Sequence, residues 1–132
     1  MKLIPPAMLP ETSIWGRMLP WNRNTTGSVL TGVASSAGRV TGTARVLFGP
    51  EDFQKMKQGD VLVAVTTTPA WTPLFTMASA IVTDLGGPLS HSSIVAREYG
   101  IPAVVSTGIA TRRVKDGQVI TVDGGARIVS LN

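Results

Sequence analysis

Residues 80–106 read AIVTDLGGPLSHSSIVAREYGIPAVVS. The stretch opens with Ala80-Ile81-Val82-Thr83 and closes with Ala103-Val104-Val105-Ser106, short apolar runs of the kind that form strands covered on both faces. Between them, Ser90 is a good N-cap, so a helix is predicted over His91–Tyr99. Leu89 and Ile94 occupy the two positions of a hydrophobic staple. Gly100 suits the residue after the helix, and Pro102 prevents its continuation. Strand, helix and strand make a βαβ unit. Its glycine-containing loop lies at the carboxyl end of the first strand, where open α/β sheets bind ligands.

His91 is the chain's only histidine, and it stands where that loop becomes helix. Gly86 and Gly87 let the backbone turn tightly and approach a ligand. The unsatisfied N–H groups of a helix start receive phosphate readily. A neutral imidazole nitrogen can attack phosphorus directly. His91 is therefore the candidate nucleophile, with Gly86, Gly87, Ser90, Ser92 and Ser93 as candidate phosphate-binding residues. On local pattern alone, an early-helix histidine with a satisfied ring explains His91 equally well. Asp84, just before the glycines, reads as a turn cap or an orienting carboxylate. Thr66, Thr67 and Thr68 follow another buried run and either border the same crevice or serve turn chemistry. Arg97 reads as a surface or docking residue, and Trp71 as core.

Outward from this unit, strands are predicted at Val29–Val33, Arg39–Phe48, Val61–Val65, Gln118–Val122 and Arg127–Leu131, the last closing the sheet. Turn residues occupy Ser35–Gly38, a short helix Glu51–Gln58, a loop Thr66–Pro73 and a helical turn Leu74–Ser79. Residues 1–27 contain Pro5, Pro6, Pro10 and Pro20 together with Trp15 and Trp21. They read as an irregular arm or linker whose tryptophans pack on this domain or on a partner. Residues 28–132 form the folded domain.

Composition narrows the function classes. Hydrophobic residues are 43% and charged residues only 15% of the 132 positions, with a mean hydropathy of +0.23. This is a globular chain with apolar surface to spare for another domain or subunit. The net charge of +4 favours anionic ligands, but no nucleic-acid-binding motif accompanies it. With no cysteine and one histidine, thiolate and zinc sites are not expected. The nucleophile elbow of hydrolases and the Walker A lysine are absent from the sequence. Pro5 and Pro6 interrupt any signal-peptide core, so a cytoplasmic location is expected.

The run Thr83–Val105, with its paired glycines, Ser-His, Ala-Arg helix and Gly-Ile-Pro-Ala-Val, resembles the phosphohistidine (swivelling, mobile) domain of the phosphoenolpyruvate-utilising enzyme family, which includes phosphoenolpyruvate synthase, pyruvate phosphate dikinase and enzyme I of the sugar phosphotransferase system. Gly32–Gly38, Gly59–Val63, Thr68–Pro73, Asp116–Gln118 and Thr121–Gly124 extend the resemblance over about residues 28–131. It implies an α/β fold: a swivelling β/β/α domain, compact and sheet-rich, with a short helix after the glycine-rich loop. It implies that His91 is transiently phosphorylated and shuttles the group between a nucleotide or phosphoenolpyruvate donor site and an acceptor site. Those sites would lie on partners, in cis or in trans: an ATP-grasp nucleotide-binding domain, a phosphoenolpyruvate/pyruvate-binding domain, or both. No cofactor is expected on this domain itself; Mg2+ and ATP or phosphoenolpyruvate belong to the partner domains. On this reading the chain is a phosphotransferase component and not a complete enzyme alone. The alternative is a non-catalytic module that uses the same fold for assembly or regulation.

Overall fold

The computed structural model describes residues 29–131. The arm expected over 1–27 lies outside the described residues. The strands are β1 (Val29–Thr31), β2 (Val33–Ser36), β3 (Arg39–Leu47), β4 (Val61–Ala64), β5 (Ala80–Thr83), β6 (Ala103–Val105), β7 (Val119–Asp123) and β8 (Ile128–Leu131). The helices are α1 (Thr72–Phe75), α2 (His91–Tyr99) and α3 (Ala110–Arg113), with 3-10 turns at Pro50–Lys55 and Pro69–Trp71. The strand order is β1-β8-β7-β3-β4-β5-β6-β2. Strands β3, β4, β5 and β6 run parallel to one another, and the remaining pairs are antiparallel.

Two chain segments belong to both halves of this sheet. The first half of β3, Arg39–Thr43, pairs with β7, and the second half, Ala44–Leu47, pairs with β4. In the same way β1 pairs with β8 while β2, one residue further on, pairs with β6. The sheet therefore folds over on itself, and its two ends are joined through Gly32. A Cβ on Gly32 would stand 2.4 Å from the Val105 carbonyl oxygen and 2.8 Å from Cγ1 of Val104, so only glycine lets the chain turn this corner against β6.

The alternation of side chains along the parallel strands produces two cores. Val61, Val63, Ala80, Val82 and Val104 point into the space between the sheet halves and meet Leu30, Ile120, Val122 and Val129. Leu62, Ala64, Ile81 and Ala103 point outward, to Trp71, Leu74, Phe75, Val95 and Ala96 of the helical layer. Both faces of β4 and β5 are covered, which is why these strands read as unbroken apolar runs. The layers are sheet, sheet and helix: the expected β/β/α domain.

Several local expectations need correction. The strand predicted at 29–33 is broken at Gly32, and Ser35 and Ser36 belong to β2, which carries a bulge between Ala34 and Ser36. The helix predicted over 51–58 is the 3-10 segment Pro50–Lys55. The loop at 66–73 contains a 3-10 turn and the start of α1, and α3 was not anticipated. Strand β8 does not close the sheet but lies between β1 and β7. The staple does not form: Leu89 is 83% exposed and Ile94 43% exposed, because the preceding loop carries Leu89 out to solvent. The other end of α2 is as expected. Gly100 takes a left-handed φ of 72°, and the N–H groups of Gly100 and Ile101 donate to the carbonyls of Arg97 and Ala96, a Schellman closure.

The corner glycine gives a direct test. Gly32→Ala should lower the unfolding free energy by about 1–3 kcal/mol or more, while Gly125→Ala, where the nearest atom would be a side-chain oxygen at 3.7 Å, should stay within about 0.5 kcal/mol of wild type. Urea denaturation midpoints of the two variants check this.

Candidate functional site

The site is built where the chain leaves β5. Gly86 has φ +127°, a conformation that favours glycine. Beyond it the backbone folds into a tight turn whose centre is one carbonyl. The Gly87 oxygen accepts from Ser90 N at 3.0 Å, from Ser90 Oγ at 2.8 Å and from Ser93 Oγ at 2.6 Å. Arg97 holds the same turn from outside, donating from Nη2 to the Pro88 carbonyl at 2.6 Å and from Nη1 to the Ser35 carbonyl at 2.8 Å. It thereby ties the loop to β2. The sequence reading set Arg97 apart from the loop because it lies well down the helix. Helical side chains lean toward the N-terminus, and arginine is long enough to reach back over the first turn.

Helix α2 begins at His91, with Ser90 extended before it. The Ser90 hydroxyl makes no capping bond to the helix, because it is directed at Gly87. Among the described residues, no hydrogen-bond acceptor takes the backbone N–H of His91, Ser92 or Ser93. The first turn thus keeps its donors available at the positive end of the helix. Of the predicted phosphate-binding set, Gly86, Gly87, Ser90, Ser92 and Ser93 are all gathered around His91. The Ser90 and Ser93 hydroxyls donate within the loop, and the groups left without an acceptor there are the main-chain N–H of His91, Ser92 and Ser93.

The imidazole is half-buried and held on two sides. Its Nδ1 shares a hydrogen bond of 3.0 Å with the Thr67 hydroxyl, which is 2.6 Å from the hydroxyl of Ser92. Both partners are buried, Thr67 at 5% and Ser92 at 2% exposure. The ring also stands edge-on to Phe75, with centroids 5.9 Å apart. With Nδ1 engaged, Nε2 is the ring nitrogen for which the described residues supply no hydrogen-bond partner. Thr67 is the middle residue of the threonine run, and nothing in the sequence separates it from its neighbours. It is the one that β4 and the following turn place beneath the helix start, while Thr66 and Thr68 are exposed.

Asp84 does not touch the imidazole among the described contacts. Its carboxylate accepts from Thr111 N at 3.1 Å, from the Thr111 hydroxyl and from Thr107 Oγ1 at 3.4 Å. It caps α3 from just beyond the end of β5 and fixes the segment 107–111, the capping role of the two its position offered. Trp71 is core, 6% exposed and edge-on to Phe53. Arg112 and Lys115 are exposed, and Arg113 half-buried.

Phe48, Val65, Leu85 and Leu89, all beyond the carboxyl ends of β3, β4 and β5, are exposed. An open groove of about 320 Å3 next to Thr66 and Thr68 is walled by Phe48, Pro50, Val65 and Trp71.

Fold and site together define a class: a three-layer β/β/α domain that presents a single histidine on a helix start at the carboxyl ends of parallel strands. Residues 56–127 match the family described as PEP-utilising enzyme, mobile domain, and the chain belongs to that family. It is 52% identical over 105 residues to the phosphoenolpyruvate synthase of Aeropyrum pernix, across 78% of this chain and 13% of that protein. It is 48% identical over 113 residues to the uncharacterized phosphotransferase YvkC of Bacillus subtilis (strain 168), across 86% of this chain and 14% of that protein. Among solved structures, that of Enzyme I (nEIt) aligns with a TM-score of 0.54 at 37% identity, over 61% of this chain and 34% of that one. The chain spans about one-seventh of the relatives it matches, so in them the domain works beside others. No helix among the described residues is long and apolar enough to cross a membrane.

Removing the Asp84 carboxylate isolates its structural role. Asp84→Ala should cost about 1–3 kcal/mol and speed amide hydrogen exchange across residues 107–114, with helix α2 keeping its protection. Exchange measured residue by residue checks the localisation.

Proposed function

We propose that this chain is a phosphoryl carrier whose His91 is phosphorylated at Nε2, taking the group from a nucleotide or phosphoenolpyruvate donor on one partner domain or subunit and delivering it to an acceptor on another. The observation that carries this reading is the Thr67 hydrogen bond to Nδ1, set beside a helix start whose N–H groups have no acceptor. One ring nitrogen is held, the other is free, and donors for an anion lie next to it.

In the transfer, the Nε2–phosphorus bond forms as the bond from phosphorus to the leaving oxygen breaks. The imidazole proton is given up to solvent or to the leaving group. Thr67 serves Nδ1 throughout, because a hydroxyl accepts from a protonated nitrogen and donates to a bare one. The new phosphate carries its charge to the positive end of α2, where the N–H groups of His91, Ser92 and Ser93 stabilise it. The loop of Gly86, Gly87 and Ser90 draws the Ser90 and Ser93 hydroxyls to the Gly87 carbonyl, which leaves those donors to the phosphate. The reverse transfer uses the same contacts.

Donor and acceptor lie beyond this chain on this reading. An ATP-grasp domain, a phosphoenolpyruvate-binding domain or both would supply them, together with Mg2+. The exposed Phe48, Val65, Leu85 and Leu89 suit a surface that docks, excludes water during transfer and then releases. A tether makes each docking a local event at high effective concentration.

The test is labelling with ATP or phosphoenolpyruvate in the presence of the cognate partner domains. An acid-labile, alkali-stable phosphate should form on the wild-type chain and be absent from His91→Ala. Thr67→Val should label about tenfold more slowly, equivalent to ~1.4 kcal/mol in the barrier. Equal labelling of His91→Ala, or full biological activity without His91, would leave the fold serving assembly or regulation instead.

A further inference from the structure

The hydrogen bonds around His91 allow its protons to be counted. The imidazole Nδ1 stands 3.0 Å from the Thr67 hydroxyl oxygen, and that oxygen stands 2.6 Å from the hydroxyl oxygen of Ser92. This chain of three atoms has two gaps, and each gap takes one hydrogen. Thr67 and Ser92 are both buried. Each hydroxyl supplies a single hydrogen, and among the described residues neither has a further hydrogen-bond partner. We propose that Thr67 and Ser92 are positioning residues whose chain runs in one direction, from Ser92 to Thr67 to Nδ1. It thereby keeps Nδ1 bare and holds the hydrogen of the neutral ring on Nε2.

The count decides the direction. With Ser92 donating to Thr67 and Thr67 to Nδ1, both gaps are filled and no hydrogen is left over. A hydrogen on Nδ1 would be a third for two gaps. It would turn Thr67 round to donate to Ser92, and the Ser92 hydrogen would then have no acceptor among the described residues. A buried donor without an acceptor is costly, and the low-dielectric setting that penalises it strengthens the complete chain. A neutral imidazole carries one hydrogen, so a bare Nδ1 places it on Nε2. The Asp84 carboxylate, engaged with Thr107 and Thr111, does not compete for it. What happens on transfer rests on the carrier reading above. Nδ1 is bare in the neutral phosphorylated ring too, so the same chain serves both forms. Transfer then exchanges hydrogen for phosphorus at one atom. The Nε2–phosphorus bond forms, the bond from phosphorus to the leaving oxygen breaks with its electron pair on that oxygen, and the Nε2 proton departs to that oxygen or to solvent. The hydroxyl hydrogens of Thr67 and Ser92 stay in place throughout, which leaves this part of the site nothing to reorganise. The resting ring presents an N–H at Nε2, and it becomes a nucleophile as that proton is removed.

Nitrogen NMR of the full chain with labelled histidine reads the tautomer without any phosphoryl transfer, and with one histidine in the chain the spectrum holds one ring. In alkaline buffer, where an imidazole is neutral, Nδ1 should resonate as a bare ring nitrogen and Nε2 as a protonated one. Ser92→Ala removes one gap and one hydrogen together, so the pattern should stay. Thr67→Val removes the donor to Nδ1 and should move the two resonances toward each other as the second tautomer appears, and Thr67→Ser should restore them. The reverse chain, from Nδ1 through Thr67 to Ser92, gives the opposite resonances in the wild type and a change in Ser92→Ala. Either result would overturn the proposal, as would a Thr67→Val spectrum identical to that of the wild type. Thr67→Val labels slowly through lost ring orientation whichever nitrogen carries the hydrogen, so the spectra decide the tautomer and the rates do not. Phosphoramidate, a small donor that needs no partner domain, extends the test to the phosphorylated ring. There Nδ1 should again resonate as a bare nitrogen, and a protonated Nδ1 would overturn the exchange at a single atom. Failure of the partner-dependent labelling would instead sink the carrier reading and leave the tautomer of the free ring as measured.

Discussion

One stretch of backbone, residues 29–36, has to serve two edges of the same sheet, and the rest of the domain depends on that constraint. As β1 it completes a ladder with β8, and as β2 it completes another with β6. The change of direction happens at Gly32, against the Val105 carbonyl, where no side chain fits. Because the sheet is joined there, an enclosed apolar interior exists for Val61, Val63, Val82 and Val104. Because side chains alternate along a strand, Leu62, Ile81 and Ala103 are directed to the other face and must be covered there. Helix α2 provides the cover, and its position brings its first turn against Thr67 in the loop after β4.

The chemistry of the site follows from a diverted hydrogen bond. A serine before a helix ordinarily caps it, using up one of the free N–H groups. Here the Ser90 hydroxyl turns to the Gly87 carbonyl and is joined there by the hydroxyl of Ser93. The loop gains rigidity from its serines, and the helix start keeps its donors. Thr67 then orients the imidazole from the loop after β4. Loop shape, free donors and ring orientation are thus set by different residues, which lets each be altered without dismantling the others.

Much of this was legible in the chain, for identifiable reasons. The spans of β5 and α2 were readable because double-sided burial leaves a solid apolar run and because Ser90 and Gly100 mark the helix ends. The grouping around His91 was readable because its members are sequence neighbours. What stayed hidden depends on contacts across long separations. Thr67 is one of three adjacent threonines and is distinguished only by where β4 ends. Arg97 reaches the Pro88 carbonyl because the loop folds back toward the helix that follows it. The short helix α3 has no capping residue of its own, since Asp84 supplies the cap from just beyond the end of β5. Gly32 looked like any glycine inside an apolar run, because the residue it must avoid is in β6.

The pairing of β1 with β8 has a mechanical consequence. Val29, where the chain comes into the domain, lies opposite Ser130, next to where it goes out. The two ends of the described chain therefore leave the fold at neighbouring points on a single antiparallel ladder, so a pull applied between them would peel β1 from β8 one residue pair at a time instead of shearing the sheet between two distant anchors.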